Sequence, residues 1–263
     1  MIKSTPLKIY YKKANSSDFW KDHWKKSSDR GSLADYYQNC KNNSILMKIF
    51  EKHLPRNGRI LEAGCGLASW VYLLEQKGYN IEGIDFAKDT IDFVKSNFPK
   101  LPIKTGNVFY LGYLDNSLSA YISWGVVEHF EKGPEKILEE ASRVLKRNGV
   151  MILSIPYLNP LRRVKNLLGY YKNQKGDFYQ YLFSKNEIIE YIKKAGFEIK
   201  KSYPYNPIKG LKEDVFGMRK VHQSVAKRQN NYKKQKSLLR IFINSYPMKF
   251  LFSHSIVIIA EKQ

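Results

Sequence analysis

The sequence predicts an α/β protein with a Rossmann-like, doubly wound and mostly parallel seven-stranded sheet, interrupted by helical and loop cap insertions. Three observations predict this fold class. Short apolar runs alternate with longer segments of helical period over much of the chain, as in a parallel sheet that is covered on both faces. A tight turn with two glycines, Gly64 and Gly66, follows the first of these apolar runs. The chain of 263 residues is long enough for one large domain with insertions.

The first half of the chain alternates between helices and strands. A helix is predicted over residues 45–54, and the sequence PRNG at 55–58 ends it. Beyond it we predict strands over residues 59–63, 80–85, 103–106, 118–124 and 149–155, separated by helices over residues 67–77, 88–97 and 134–146. Right-handed crossovers join such strands into a parallel sheet.

The other segments are less regular. Ser184 and Glu187 form a predicted capping box for a helix that stops at Gly196, and the last two strands are predicted over residues 197–203 and 254–261. We therefore expect a main domain of residues 45–203 and 254–263. It is preceded by a helical or irregular lead-in or lid, residues 1–44, and carries two cap insertions, a loop-rich one with many tyrosines at 157–183 and a basic one at 204–253.

The net charge of +21 has two interpretations. It is typical of a protein with an acidic partner, such as a nucleic acid or an anionic membrane surface, and it also arises from a lysine-rich composition. We attribute most of the charge to composition and expect no specific nucleic acid. The 204–253 insertion carries eleven basic residues against Glu213 and Asp214. It predicts a cap with solvated lysines, or a weak contact with an anionic membrane surface.

Cysteine content and hydropathy predict a cytoplasmic protein. No apolar run reaches the roughly 18–20 residues of a membrane span, and the first residues lack the apolar region of a signal peptide. The two cysteines, Cys40 and Cys65, have no metal-ligand spacing, so no metal site is predicted. Reduced thiols fit an intracellular compartment best.

The glycine turn predicts a nucleotide-binding site. Gly64 and Gly66 allow a ligand to approach the backbone closely, and the helix that follows offers unpaired N–H groups. Asp85 ends the next predicted strand, about 20 residues further on, where a carboxylate can bind ribose hydroxyls. Ala68 stands where a dinucleotide fingerprint has its third glycine, which disfavours a dinucleotide.

Four motifs in series resemble those of class I S-adenosylmethionine-dependent methyltransferases, in particular the small-molecule enzymes of the ubiquinone-biosynthesis type. They are EAGCG at 62–66, GNV at 106–108 with LDNS at 114–117, SWGVVEHF at 123–130 and RVLKRNGV at 143–150. The motifs cover about residues 58–156 in the order that the family shows. One such motif is weak evidence, whereas four in series are strong.

The resemblance implies S-adenosylmethionine as the cofactor and assigns residues to it. By this resemblance the methionine part is held by Glu62, Gly64, Cys65, Gly66 and Trp124, the ribose by Asp85, and the adenine by Phe86, Asn107 and Val108. Each role has an alternative: Phe86 and Val108 as core residues, Trp124 as a packing aromatic, and Asn107 as a turn residue. Asn107 also replaces an aspartate that is common in the family, which makes its hydrogen bond weaker.

His129 is the candidate catalytic base, because it follows the fourth strand of the domain at the carboxyl edge of the sheet. Methyl transfer mainly requires alignment of the methyl group and its acceptor, and a base helps where the acceptor must lose a proton. The alternative is that His129 holds the loop in place through Glu128. The aromatic sequence FWKDHW at 19–24 is expected either to cover the cofactor or to pack on the sheet.

The sequence therefore predicts a methyltransferase that acts on a small-molecule or lipid-linked acceptor. Aromatic and basic residues of the first insertion are expected to line the acceptor pocket or to be solvated; they are Tyr157, Arg162, Arg163, Tyr179 and Tyr181. Two alternatives stay open. The charge favours an RNA or protein methyltransferase, and a glycine turn alone is compatible with a non-enzymatic nucleotide-binding or scaffold protein.

Overall fold

The computed structural model describes residues 6–11, 19–20, 22–24, 32–41, 44–215, 242 and 244–263. The described strands are β1 (Leu7–Tyr11), β2 (Ile60–Ala63), β3 (Ile81–Asp85), β4 (Ile103–Thr105), β5 (Leu118–Trp124), β6 (Leu145–Pro156), β7 (Asp177–Leu182), β8 (Phe197–Tyr205) and β9 (Ser255–Lys262). The helices are α1 (Leu33–Lys41), α2 (Ser44–His53), α3 (Ser69–Glu75), α4 (Lys88–Asn97), α5 (Glu135–Val144), α6 (Pro160–Leu167), α7 (Lys185–Lys194), α8 (Pro207–Asp214) and α9 (Met248–Phe252).

Seven strands form one sheet in the order β4-β3-β2-β5-β6-β9-β8, which confirms the predicted fold class. The five strands from β4 to β6 are parallel, and β9 runs antiparallel to both β6 and β8. The strand order reverses at β2, which has β3 on one side and β5 on the other. Ligands of such sheets bind in the crevice at the carboxyl ends of the strands that flank this switch point.

Two hydrophobic clusters cover the two faces of the sheet. Leu61 and Tyr121 belong to one cluster, whereas their chain neighbours Ile60 and Ile122 belong to the other. All four residues of β2 are buried, because successive side chains of a strand point to opposite faces and both faces are packed. This double burial explains why the central strands are apolar at every position.

The predicted start of α7 is confirmed in detail. The Ser184 backbone N–H donates to Glu187 Oε2 at 2.7 Å, and the Glu187 N–H donates to Ser184 Oγ at 3.3 Å. The two side chains satisfy donors that a helix N-terminus leaves unpaired. Gly196 follows the helix with a φ of 88°, which is the left-handed conformation that favours glycine at a helix end.

The first insertion is more regular than the sequence suggested. The predicted loop-rich segment 157–183 contains α6 and β7, and the lead-in contains β1 and α1. β1 pairs antiparallel with β7, and Leu7 lies opposite Leu182. The pairing joins segments that are far apart in the chain, so no local pattern reveals it. α6, by contrast, has a local signal, since the Asn159 side chain caps it and Pro160 is its first residue.

The second insertion is described in part. α8 begins after Asn206, whose side chain accepts a hydrogen bond from the Lys209 N–H at 3.2 Å, and β8 extends to Tyr205. Most of the basic residues that raised the membrane-surface hypothesis lie outside the described residues; they are Arg219, Lys220, Lys227, Arg228, Lys233, Lys234, Lys236 and Arg240. Among the helices that are described, none has the length and apolarity needed to cross a membrane.

Candidate active site

A cavity of about 1640 Å³ opens at the carboxyl ends of β2, β3, β5 and β6. Nine of the ten site residues predicted from the sequence line it, namely Glu62, Gly64, Cys65, Asp85, Phe86, Asn107, Val108, Trp124 and His129. Gly66 is the exception, because the indole of Trp24 lies directly against it. The predicted residues therefore meet at the switch point of the sheet, as the strand order requires.

The turn after β2 depends on its glycines. Gly64 has a φ of 79° and Gly66 a φ of 50°, a region that other residues avoid. A Cβ atom on Gly64 would lie 2.4 Å from Val126 Cγ2, and one on Gly66 would lie 2.5 Å from Trp24 Cζ2. The turn therefore has neither the backbone freedom nor the space for a larger residue at these two positions.

Asp85 joins this turn to the end of β3. Its Oδ2 accepts a hydrogen bond from the Gly66 N–H at 2.8 Å, and its Oδ1 accepts one from the Ala87 N–H at 2.9 Å. The side chain is buried, and burial raises the pKa of the carboxyl group above its usual range. The Phe86 N–H also donates to this carboxylate, and a carboxylate has about four acceptor positions, so one position stays for a ligand hydroxyl in the cavity.

Glu62 is a buried acid with one open oxygen. Its carboxylate is bonded to the backbone of Val71, but Oε2 has no hydrogen-bond partner among the described residues. Burial raises the pKa of this group to about 8. An unpaired buried acceptor is costly, and a ligand ammonium group would satisfy it. The amino group of S-adenosylmethionine has this chemistry, so Glu62 fits the role that the resemblance implied.

The adenine-side residues differ from one another in exposure. Phe86 is half exposed at the cavity wall, whereas Val108 is buried and also belongs to the core. Asn107 Oδ1 accepts a hydrogen bond from the Phe109 N–H at 2.9 Å. The turn-forming alternative for Asn107 is therefore observed, and the same oxygen keeps one lone pair for a ligand donor.

Trp124 ends β5 inside an aromatic cluster. Its ring centroid lies 6.0 Å from those of Phe50 and Trp70, and 5.8 Å from that of Tyr205. The packing role foreseen for Trp124 is thus present. Because the same side chain lines the cavity, it also bounds the space available to a ligand.

His129 is held by a backbone carbonyl of β7. Its Nδ1 lies 2.8 Å from the Tyr179 carbonyl oxygen. A carbonyl only accepts, so we assign the proton to Nδ1, which leaves a lone pair on Nε2. Burial lowers the pKa of the ring to about 4, and His129 is therefore neutral at pH 7. Glu128, which the sequence proposed as its anchor, lies 3.9 Å from Nε2 through Oε1.

Glu128 is a site residue that the sequence analysis did not single out as a ligand group. It lines the cavity, and only 2 % of its surface is exposed. Its Oε2 has no hydrogen-bond partner among the described residues, and burial raises its pKa to about 8. The sequence does contain a signal for a buried acid at this site, because Glu128 directly follows the apolar pair Val126-Val127 near the end of a strand.

The N-terminal aromatic segment covers this site with its described residues, which are 19–20 and 22–24. Trp24 packs on Gly66, and the ring centroid of Trp20 lies 4.8 Å from that of His129. Trp20, His23 and Trp24 all line the cavity. The segment thus contacts both the glycine turn and the predicted base, as expected of a segment that covers the cofactor.

The residues proposed to line the acceptor pocket separate into two groups. Tyr179 and Arg162 line the cavity, whereas Tyr157 and Tyr181 are buried outside it and Arg163 is exposed. Arg162 is itself buried, and its Nε donates to Asp214 Oδ1 at 3.0 Å and to Oδ2 at 2.8 Å. This ion pair joins α6 to α8 at the far end of the cavity.

Comparisons with known proteins agree with this geometry. The model of a methyltransferase domain family matches residues 61–153. An uncharacterized protein of Methanocaldococcus jannaschii is 32% identical over 165 residues, which span 59% of this chain and 74% of that protein. A probable S-adenosylmethionine-dependent methyltransferase of Mycolicibacterium smegmatis is 27% identical over 140 residues, 53% of this chain and 52% of that protein.

Solved structures share the fold. A methyltransferase from Archaeoglobus fulgidus that depends on S-adenosylmethionine superposes with a TM-score of 0.57, at 15% identity, over 91% of this chain and 99% of the other. A second one, from Methanosarcina mazei, gives a TM-score of 0.56 at 19% identity, over 81% and 96%. The chain belongs to the class I S-adenosylmethionine-dependent methyltransferases, and S-adenosylmethionine is its methyl donor.

Proposed function

We propose that this methyltransferase acts on a small-molecule or lipid-linked acceptor. The observation that carries the proposal is the size and cover of the cavity. Its volume of about 1640 Å³ exceeds the roughly 300–1,000 Å³ of an ordinary ligand pocket, so cofactor and acceptor can both fit. Trp20 and Trp24 lie over it, and a covered cavity favours an acceptor that enters it whole.

In this proposal the cofactor lies across the carboxyl ends of β2, β3 and β5. Glu62 pairs with its amino group, the turn at Gly64, Cys65 and Gly66 passes beneath its methionine part, and Asp85 accepts from its ribose hydroxyls. Phe86, Asn107 and Val108 surround the adenine, and Trp124 bounds the methionine side. The bound sulfonium supplies an activated methyl group, and the protein's task is to align the acceptor with it.

His129 faces the acceptor side of the cavity beside Trp20 and Tyr179. Its neutral ring lines the cavity and can contact an acceptor without adding a charge. A pKa of about 4 makes the ring a weak store for a proton, because efficient general bases have pKa values near the working pH. We therefore assign His129 mainly to orienting the acceptor atom.

The resemblance to enzymes of the ubiquinone-biosynthesis type belongs to the same proposal. It rests on the sequence SWGVVEHF at 123–130, and this segment forms the end of β5 and the 3₁₀ turn Val127–His129 that holds Glu128 and His129 in the cavity wall. The proposal also includes a cytoplasmic location. It includes a weak contact of the basic insertion with anionic membrane surfaces, because a lipid-linked acceptor lies at such a surface.

Transfer of a labelled methyl group tests the proposal. The protein is incubated with labelled S-adenosylmethionine and separate small-molecule, lipid, RNA and protein fractions of a cell extract. We expect label in the small-molecule or lipid fraction. Label confined to RNA or protein would contradict the proposal and support the alternative that the net charge of +21 favours. Co-sedimentation with anionic vesicles tests the surface contact, which we expect to be weak and sensitive to salt.

A further inference from the structure

A buried acid, Glu128, lines the cavity beside His129. Its Oε2 has no hydrogen-bond partner among the described residues. His129 Nε2 lies 3.9 Å from Glu128 Oε1, and this ring is neutral at pH 7, since burial lowers its pKa to about 4. Within the part of the chain that the structure describes, the acid therefore has space for a donor and no cationic partner.

The lysines and the arginine that line the cavity are Arg162, Lys165, Lys209 and Lys212. The last two belong to α8 itself. Arg162 is paired with Asp214, and Lys165 Nζ donates to the Asp214 backbone carbonyl at 3.1 Å while it lies over the Tyr170 ring. Lys209 Nζ lies 4.0 Å from Glu213 Oε1. These contacts direct the positive charges toward α8, so the acid in the acceptor side stays uncompensated.

Aromatic rings line the same cavity as Glu128. The rings of Trp20 and Tyr179 each meet the His129 ring edge to face, with centroids 4.8 and 5.0 Å from it. Phe109 and Phe130 also line the cavity and form an edge-to-face pair with centroids 4.8 Å apart. Aromatic faces attract cations, and they do so more strongly where water is excluded.

We propose that the methyl acceptor is a primary or secondary amine, which enters as an ammonium group and binds to Glu128 Oε2 among these aromatic rings. The inference rests on the proposed function, since it names the acceptor chemistry of the same cavity. An ammonium group supplies the donor that Oε2 lacks and the charge that the site lacks. A carboxylate or phosphate at the same position would meet an acid and no free cation, which disfavours it.

At pH 7 the empty site holds Glu128 mostly as the neutral acid, because burial raises its pKa to about 8. The arriving ammonium group displaces this proton to solvent and pairs with the carboxylate. Within the pair, the ammonium group gives one proton to the carboxylate, and the nitrogen lone pair forms a bond to the methyl carbon while the electron pair of the carbon–sulfur bond moves to sulfur. The products are the methylated ammonium, S-adenosylhomocysteine and Glu128 in its protonated form.

Selective blocking of amines tests the acceptor class in the wild-type protein. The small-molecule extract is acetylated with N-acetoxysuccinimide and then treated with hydroxylamine, which removes esters from hydroxyl groups and leaves amides intact. We expect labelled product with untreated extract and its loss after blocking. Label that persists in the blocked extract would overturn the amine assignment. Absence of label in the untreated small-molecule and lipid fractions would instead contradict the proposed function, so the two failures are distinguishable.

The variant Glu128→Gln tests the residue. It keeps the shape of the side chain and removes its charge, and Glu139→Gln, an exposed residue of α5, is the matched control. With the labelled amine fraction we expect Glu128→Gln to lower kcat/KM by about tenfold or more and to leave the affinity for S-adenosylmethionine unchanged in calorimetry. Unchanged kcat/KM, or a loss of cofactor affinity instead, would overturn the assignment of Glu128 to the acceptor.

Discussion

The backbone N–H of Gly66 donates a hydrogen bond of 2.8 Å to the Oδ2 atom of Asp85. This bond fixes the glycine turn after β2 to the end of β3, the two strands on one side of the switch point. The sequence placed both residues in one cofactor site on the basis of their spacing. The structure adds that Asp85 shapes the turn as well as facing the cavity, so its substitution has two consequences.

The first prediction concerns Asp85→Asn. The amide removes the charge and turns one acceptor oxygen into a donor, so it weakens the bonds to ribose hydroxyls and opposes the Gly66 N–H. Loss of a charged hydrogen bond costs about 1.5–3 kcal/mol, and we expect the affinity for S-adenosylmethionine to fall about tenfold or more. Calorimetry measures it. Asp92→Asn, an exposed change in α4, is expected to bind normally. Unchanged affinity in a folded Asp85→Asn protein would remove Asp85 from the site.

The second prediction concerns Gly64→Ala. An alanine Cβ would lie 2.4 Å from Val126 Cγ2 and would force a left-handed conformation that costs about 1–2 kcal/mol by itself. We expect the free energy of unfolding to fall by about 2–5 kcal/mol in denaturant titrations, because overpacking adds about 1–3 kcal/mol.

Gly64→Ala in a Val126→Ala background separates the cost of the steric clash from the cost of the backbone strain. Removal of the valine methyl groups relieves the clash and leaves the backbone strain, so the double variant is expected to be more stable than the sum of the single variants predicts. Strict additivity would show that Gly64 is required for its conformation alone. A gain of cofactor affinity in either alanine variant would contradict the placement of the turn beneath the ligand.

The fold could be predicted from the sequence wherever an element carries its own pattern. The central strands are apolar at every position because both faces are packed, and α7 has its capping box at Ser184 and Glu187. The pairing of β1 with β7 could not be predicted. Leu7 and Leu182 are directly paired, although they lie near opposite ends of the described sequence before β8. Strand pairing between such distant segments depends on tertiary contacts more than on local propensity.

The candidate site also has a part that the sequence predicts and a part that depends on tertiary contacts. Gly64, Asp85 and His129 stand at fixed offsets from strand ends, so their approach to one another follows from the parallel sheet alone. Trp24 contacts Gly66, and one oxygen of Glu128 has no hydrogen-bond partner among the described residues. Both features depend on which side chains of other segments pack against the site. Sequence spacing contains no information on these tertiary contacts, and it therefore offered Glu128 only as an alternative anchor for His129.

The third prediction compares a buried ion pair with an exposed one. Asp214→Asn removes the nearer charged partner of the buried Arg162 guanidinium and leaves Glu213 Oε2 at 3.9 Å from its Nη2; loss of a buried partner costs about 3–5 kcal/mol. We expect a value near 3 kcal/mol, because Arg162 keeps its bonds to the Tyr157 and His254 carbonyls. Denaturant unfolding measures it.

Glu198→Gln is the matched control for this change. It breaks an exposed pair with Lys200 of 2.7 Å, and exposed pairs contribute less than about 1 kcal/mol. Equal costs for the two substitutions would mean that the pair between α6 and α8 is open to solvent in the working protein.

The last prediction uses the titration of Glu128. Burial raises its pKa to about 8 in the folded protein, above the value of about 4.3 for an unperturbed glutamate. Between these values the folded state binds more protons than the unfolded state, so stability is full at low pH and is lost as the pH rises through 8. His129 has the opposite shift, because burial lowers its pKa to about 4. Its contribution to the pH dependence of stability therefore ends near pH 6.5, the pKa of an unperturbed histidine.

Measurements between pH 6.5 and 8 exclude His129, and comparison with Glu128→Gln separates Glu128 from Glu62, whose pKa burial also raises to about 8. Over this interval we expect wild-type protein to lose about 2 kcal/mol of stability through Glu128, at about 1.36 kcal/mol per pKa unit, and Glu128→Gln to escape that loss. Glu139→Gln is expected to follow the wild type. Parallel curves for wild type and Glu128→Gln would mean that the carboxylate is already ionised and paired, and this result would also remove the physical ground for an incoming ammonium group.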